Sequence, residues 1–183
     1  MVLVITASPN TGGLTAACGR AALEGIERAG KTGEIIDLCA ERIQGCLVCG
    51  DGWGSCREEH RCVIDDGFAS LQARLGNVEG LVLVTPVYWG QQSERVKYFR
   101  DRLRRCEARR GSESVLAGKK INLVAAAGGT GNGTVSCLTD MELWCRHMSA
   151  IPFERIGVTR FNRGEMLSVI GRASVALVEN ISA

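Results

Sequence analysis

Four cysteines fall within seventeen residues, Cys46, Cys49, Cys56 and Cys62, with two, six and five residues between them. A thiolate is a nucleophile and a soft metal ligand, and four in one loop can hold a [4Fe–4S] cluster. They can equally hold Zn²⁺, through all four thiolates or through three of them and His60, or they can be a degenerate loop that binds nothing. A surface loop has little core for a thiol to fill. The chain has nine cysteines, and the other five, Cys18, Cys39, Cys106, Cys137 and Cys145, are scattered. These read as small buried hydrophobes. A secreted disulfide framework would be shorter and denser in cysteine.

Three loops carry a second kind of chemistry. Ser8-Pro9-Asn10-Thr11-Gly12-Gly13-Leu14-Thr15 leads from a strand into a helix. Hydroxyls and the free N–H groups of a helix start form an anion site, although an ordinary helix cap would look the same. It is neither a Walker P-loop nor the G-x-G-x-x-G fingerprint. Thr85-Pro86-Val87-Tyr88-Trp89-Gly90-Gln91-Gln92-Ser93 puts two adjacent aromatics at the end of a strand. They can cover a flat ring, with Gly90 allowing close backbone approach, or they can be core or interface aromatics. Gly128-Gly129-Thr130-Gly131-Asn132-Gly133 can hug a ligand without side chains, or form a flexible turn.

These loops need a frame. Val2–Ile5, Glu34–Leu38, Gly80–Pro86, Lys120–Ala127 and, more weakly, Phe153–Val158 are apolar runs of strand length. Between and after them lie helical patterns over Thr15–Ala29, Asp66–Leu75, Gln91–Arg105, a stripe of Cys137, Met141, Trp144, Cys145 and Met148, and another from Met166 to Leu177. Five β-α units predict a parallel sheet with helices on both faces, and such sheets bind ligands at the carboxyl ends of their strands. The cysteines lie in Cys39–Asp65, a connection long enough to be functional or disordered. The basic stretch Lys97, Arg100, Arg102, Arg104, Arg105, Arg109, Arg110 reads as a solvated helix face, and His147 as structural.

Composition narrows the classes. The 183 residues fit one domain, 1–183, with 45% apolar and 23% charged residues, which excludes a disordered chain. A net charge of +2 is too small for the dense patch of a nucleic-acid binder. No apolar run approaches the ~20 residues of a membrane span. The N-terminus does not read as an export signal, which predicts a cytoplasmic protein with reduced thiols. There are 23 glycines against 3 prolines, so several close backbone approaches are expected.

Taken together, the motifs resemble those of the flavodoxin-like NAD(P)H-dependent FMN reductases, and most of all their iron–sulfur flavoprotein branch. That group reads S-P-R-x-x-G-N-T after its first strand. Ser8, Pro9, Gly13 and Thr15 match, while Asn10 replaces the arginine and Leu14 the asparagine. The group's P-V-Y-x-G-x-x-S-x-x-x-K pattern matches at Pro86, Val87, Tyr88, Gly90, Ser93 and Lys97, and Asp101-Arg102 matches the D-R that follows. Its cysteine motif is C-x2-C-x2-C-x5-C. Cys46 and Cys49 match the first pair and Cys56 and Cys62 the last spacing, as though four residues were inserted at Gly52.

The resemblance implies a flavodoxin-like three-layer sandwich around a five-stranded parallel sheet. It implies FMN, with phosphate at Ser8, Asn10, Gly13, Leu14 and Thr15 and the ring against Pro86, Val87, Tyr88, Trp89, Gly90 and Ser93, with Gly128 and Gly129 on another edge. It allows a [4Fe–4S] cluster on Cys46, Cys49, Cys56 and Cys62. NAD(P)H would be the electron source and a flavin, quinone or similar molecule the acceptor. The alternative is a non-enzymatic electron carrier served by a ferredoxin-like partner. A homodimer or homotetramer is expected, with a neighbouring subunit covering the flavin.

Overall fold

Val2–Thr6 (β1) is buried at every position, because it lies inside a parallel sheet covered on both faces. The computed structural model describes residues 1–182. Leu14–Arg28 (α1) follows, then Gly33–Asp37 (β2), Gly67–Gly76 (α2), Gly80–Tyr88 (β3), Gln91–Gln92 (β4), Glu94–Glu107 (α3), Lys120–Ala127 (β5), Thr134–His147 (α4), Ile151–Thr159 (β6) and Arg163–Ser182 (α5). The sheet order is β2-β1-β3-β5-β6, all parallel. With β4 set aside, this is the flavodoxin-like order 2-1-3-4-5.

Alternate side chains of each strand feed two cores. Val2, Val4, Val82, Val84 and Val124 pack with Cys18, Ala22 and Ile26 of α1 and Ile170 and Leu177 of α5. Leu3, Ile5, Leu81, Leu83 and Leu123 pack with Phe68 of α2, Phe99 of α3 and Met141 and Cys145 of α4. Gly25 brings α1 against α5 so closely that an added Cβ would lie 2.3 Å from the Gly171 carbonyl oxygen. Asp66 caps α2 by accepting from the Phe68 N–H at 3.1 Å.

Several boundaries differ from the sequence expectation. Gln91 and Gln92 are not helical: they form β4, antiparallel to Val87 and Tyr88, and α3 starts after Ser93. α4 begins at Thr134, ahead of its apolar stripe. β6 is the sheet edge, and its partial exposure explains its weak apolar signal. Cys39 is half-buried rather than a core thiol, while Cys18, Cys106, Cys137 and Cys145 are buried as expected. Among the described residues no helix is long and apolar enough to cross a membrane.

Candidate functional site

Parallel register brings three strand ends together. Thr6 pairs with Val84, and Val84 with Val124, so the segments after β1, β3 and β5 leave the sheet side by side. In the first, Asn10 N–H donates to Ser8 Oγ at 3.3 Å and Gly12 N–H donates to Asn10 Oδ1 at 3.1 Å. The loop therefore holds its own shape. Gly13 precedes α1 without a side-chain cap, and the first turn has no acidic residue. The N–H groups that begin this helix thus keep their capacity for an anion. Thr15 is buried and Leu14 half-buried.

Arg20 also reaches this loop, donating from Nη1 to the Thr11 carbonyl at 3.2 Å. It lines a cavity of about 180 Å³ with Thr6, Ser8, Thr11, Ala16 and Asp37. It supplies a cation beside a loop whose own sequence has Asn10 where the related pattern has arginine.

The second and third loops touch backbone to backbone. A Cβ at Gly133 (φ 83°) would lie 2.5 Å from Gly90 Cα. Ser136 Oγ lies 3.0 Å from the Gly90 carbonyl and 3.1 Å from that of Gly133, bridging the pair. Beside them is a cavity of about 560 Å³ lined by Val87, Trp89, Gly90, Ala127, Gly129 and Gly133, among others. A Cβ at Gly128 or Gly129 would meet nothing within 4 Å, so their backbone faces open space. Trp89 is fully exposed at φ 52° and Tyr88 is exposed beside it. Pro86 is buried beneath them.

Ser93 lines neither cavity. It is buried, its hydroxyl donating to the Ala7 carbonyl at 3.4 Å and its N–H to Thr85 Oγ1 at 3.1 Å. It ties the first loop to the second. The hairpin is anchored from below: buried Gln92 donates to Asp140 at 2.8 Å, and Arg100 grips the same carboxylate with both Nη groups.

All four clustered cysteines line one small cavity, with Arg102, Arg105 and Cys106 of α3 on its wall. Val48 N–H donates to Cys46 Sγ at 3.4 Å, from a residue at φ 52°. Positive φ in a β-branched residue is strained. His60 is not on the wall: its Nδ1 lies 2.9 Å from the Cys106 carbonyl, and since a carbonyl only accepts, Nδ1 carries the hydrogen. Among the described residues, no three His, Cys, Asp or Glu side chains converge on one ion-sized point.

The basic stretch is not wholly solvated. Arg102 is 1% exposed and donates to Asp66 Oδ2 at 2.6 Å, the Gln44 carbonyl at 3.2 Å and the Ile64 carbonyl at 3.4 Å. Its buried Nε has no partner. Burial draws its pKa down, but the Asp66 hydrogen bond and then the Cys62 sulfur leave it above the usual arginine value. Burial, followed by the charge of Cys62 and Cys56, pushes the Cys106 thiol up to about 12. Cys106 is thus a fifth, protonated thiol that sequence spacing did not point to. Arg105 donates to the Gly52 carbonyl and lies 4.9 Å from the centre of the Trp53 ring, pinning the extra residues of the loop to α3.

This donor set fits an anionic sulfur-ligated group: four thiols around one space, an N–H aimed at sulfur, and an orphaned guanidinium N–H in the wall. The free space between these side chains is about 20 Å³, room for one water as they stand.

The chain is similar to several known flavoproteins and reductases. An iron-sulfur flavoprotein of Methanocaldococcus jannaschii is 32% identical over 103 residues, 56% of this chain and 51% of that protein. One from Methanosarcina thermophila is 27% identical over 132 residues, 70% of this chain and 63% of that one. The matches thus span between half and two thirds of those relatives' length. Among solved structures, an NAD(P)H:quinone oxidoreductase from Methanothermobacter marburgensis superposes with a TM-score of 0.74 at 19% identity, over 96% of this chain and 94% of that one. A flavone reductase gives 0.77 at 15% identity, over 100% and 63%. At such identities these two show the flavodoxin-like fold. A family model described as NADPH-dependent FMN reductase matches residues 1–160, and the chain belongs to that family.

Proposed function

We propose that the chain binds FMN in its three loops and works as an oxidoreductase, passing electrons from NAD(P)H to a flavin, quinone or similar acceptor. One observation carries this reading. The open cavity of about 560 Å³ adjoins the carboxyl ends of β3 and β5, and glycine backbone and the Trp89 ring rather than acid–base groups line it. FMN supplies the redox chemistry when bound, exchanging electrons singly or in pairs.

The chain's own residues bind and orient. Ser8, Asn10, Leu14 and Thr15 offer hydroxyls and amides to the phosphate, with Gly13, whose N–H donates to the Asn10 carbonyl at 3.1 Å, holding the turn and Arg20 adding charge beside them. Pro86, Val87, Tyr88, Trp89 and Gly90 form one wall for the ring, and Gly128 and Gly129 another. Ser93, reassigned by its burial, holds the first two loops in register. A part-buried network beneath the hairpin keeps that wall fixed through Gln92, Asp140 and Arg100.

The cysteine cavity supports adding a cluster on Cys46, Cys49, Cys56 and Cys62, since the curated relatives above are iron-sulfur flavoproteins. It also sustains a second reading, an electron carrier served by a ferredoxin-like partner. Steady-state oxidation of NADPH or NADH with free FMN or quinone as acceptor is the expected result. Exchange confined to a reduced protein donor would favour the carrier.

Assembly belongs to the same proposal. Trp89 stands fully exposed at the cavity rim with Tyr88 beside it, and Phe161 is exposed on the loop after β6. A homodimer or homotetramer would cover this apolar surface. Light scattering is expected to give two or four times the 19.6 kDa chain mass at micromolar concentration, and a monomer's mass would contradict it.

A further inference from the structure

Two arginines of α3 face the thiol cavity, and the cofactor site does not use them. Arg102 is locked in place. The Phe68 ring lies 4.3 Å beneath its guanidinium carbon, and Asp66, Gln44 and Ile64 occupy its Nη groups. Nε alone is left buried and unpaired. An unmade buried hydrogen bond costs about 1–3 kcal/mol, and native interiors keep few of them. The cavity that Arg102 lines presents sulfur from Cys46, Cys49, Cys56 and Cys62. An acceptor held by those sulfurs would satisfy the orphan.

Charge points the same way. Four thiolates bring four negative charges, which the iron and sulfide of a cluster core only partly offset. A buried anion is expensive without a countercharge. Arg102 is shared with Asp66, whereas Arg105 has no carboxylate among its hydrogen-bond partners and engages a carbonyl and the Trp53 ring. Reduction adds one electron and no compensating cation. Nearby positive charge and hydrogen bonds to sulfur therefore favour the reduced state, two of the levers that set cluster potentials.

We infer that Arg102 and Arg105 are positioning residues that raise the potential at which a cluster on Cys46, Cys49, Cys56 and Cys62 takes up an electron, Arg102 by its free N–H and Arg105 by its charge. This rests on the cluster reading above. The chemical step is a one-electron reduction of the cluster by dithionite, which is oxidised in turn, with no bond made or broken in the protein.

The test is a mediated redox titration of the anaerobic, iron-loaded chain, followed by electron paramagnetic resonance. Arg105→Gln removes charge. Arg102→Lys keeps charge but lacks Nε. Arg109→Gln, at an exposed position beyond the cavity that contacts Glu58, is the control. With wild-type iron and FMN content, Arg105→Gln and Arg102→Lys should each lower the equilibrium constant for electron uptake about tenfold, some 59 mV for one electron. Arg109→Gln should titrate with the wild type. Should Arg102→Lys fail to fold, Arg105→Gln decides alone. Iron-replete variants with wild-type potential would overturn the inference and leave the cluster reading standing. A wild-type chain that takes up no iron would overturn both.

Discussion

Anaerobically purified protein should contain about four irons per chain, the content of one [4Fe–4S] cluster. Serine at Cys46 or Cys49 should abolish it. Both line the thiol cavity, and Cys46 already accepts an N–H···S bond from Val48. Serine at Cys137 or Cys145 should leave iron intact. Those thiols lie in the α4 core, where burial pushes each up to about 12 and keeps it protonated. Cys106 is the instructive case. It lines the same cavity but sits on α3, outside the cysteine loop, so Cys106→Ala should keep its iron. Loss of iron from Cys106→Ala with retention in Cys62→Ser would reassign the fourth ligand. Iron and zinc analysis of these variants reads the outcome directly. A wild-type chain free of both metals would leave a flavin working alone.

The second large effect concerns the phosphate. Ser8→Ala combined with Thr15→Ala removes two hydroxyls from the first loop. Hydrogen bonds to a charged group contribute about 1.5–3 kcal/mol each, so FMN should bind roughly 10²- to 10⁴-fold more weakly. Riboflavin lacks the phosphate and should be little affected, which separates a lost contact from a distorted loop. Ser8 also accepts the Asn10 N–H within the loop, so part of the loss comes through loop shape. Unchanged FMN affinity in the double variant would mean that the phosphate lies elsewhere.

The sheet is readable in the sequence because β1, β3 and β5 are buried on both faces and so appear as continuous apolar runs. β4 is not, because two glutamines carry no apolar period and only the turn at Trp89-Gly90 makes them a strand. Charge pattern alone puts Arg100 and Arg102 on the surface. Their carboxylate partners, Asp140 and Asp66, lie 40 and 36 residues away in the chain, and burial follows from that pairing. The clustering of Cys46, Cys49, Cys56 and Cys62 is visible as spacing. Cys106 joins them only because α3 packs against the loop, a contact no local pattern encodes. Ser93 matches a motif yet turns inward, which shows that a motif position fixes a residue's neighbourhood before its role.

The most direct measurement is the absorbance spectrum of the FMN-loaded chain, recorded without oxygen as NADPH or NADH is added and then a free flavin or quinone. The account predicts one FMN retained per chain through gel filtration, bleaching of its absorbance by the nicotinamide, and recovery on addition of the acceptor. An FMN that separates from the chain, or that stays oxidised under excess NADPH and NADH alike, would contradict it.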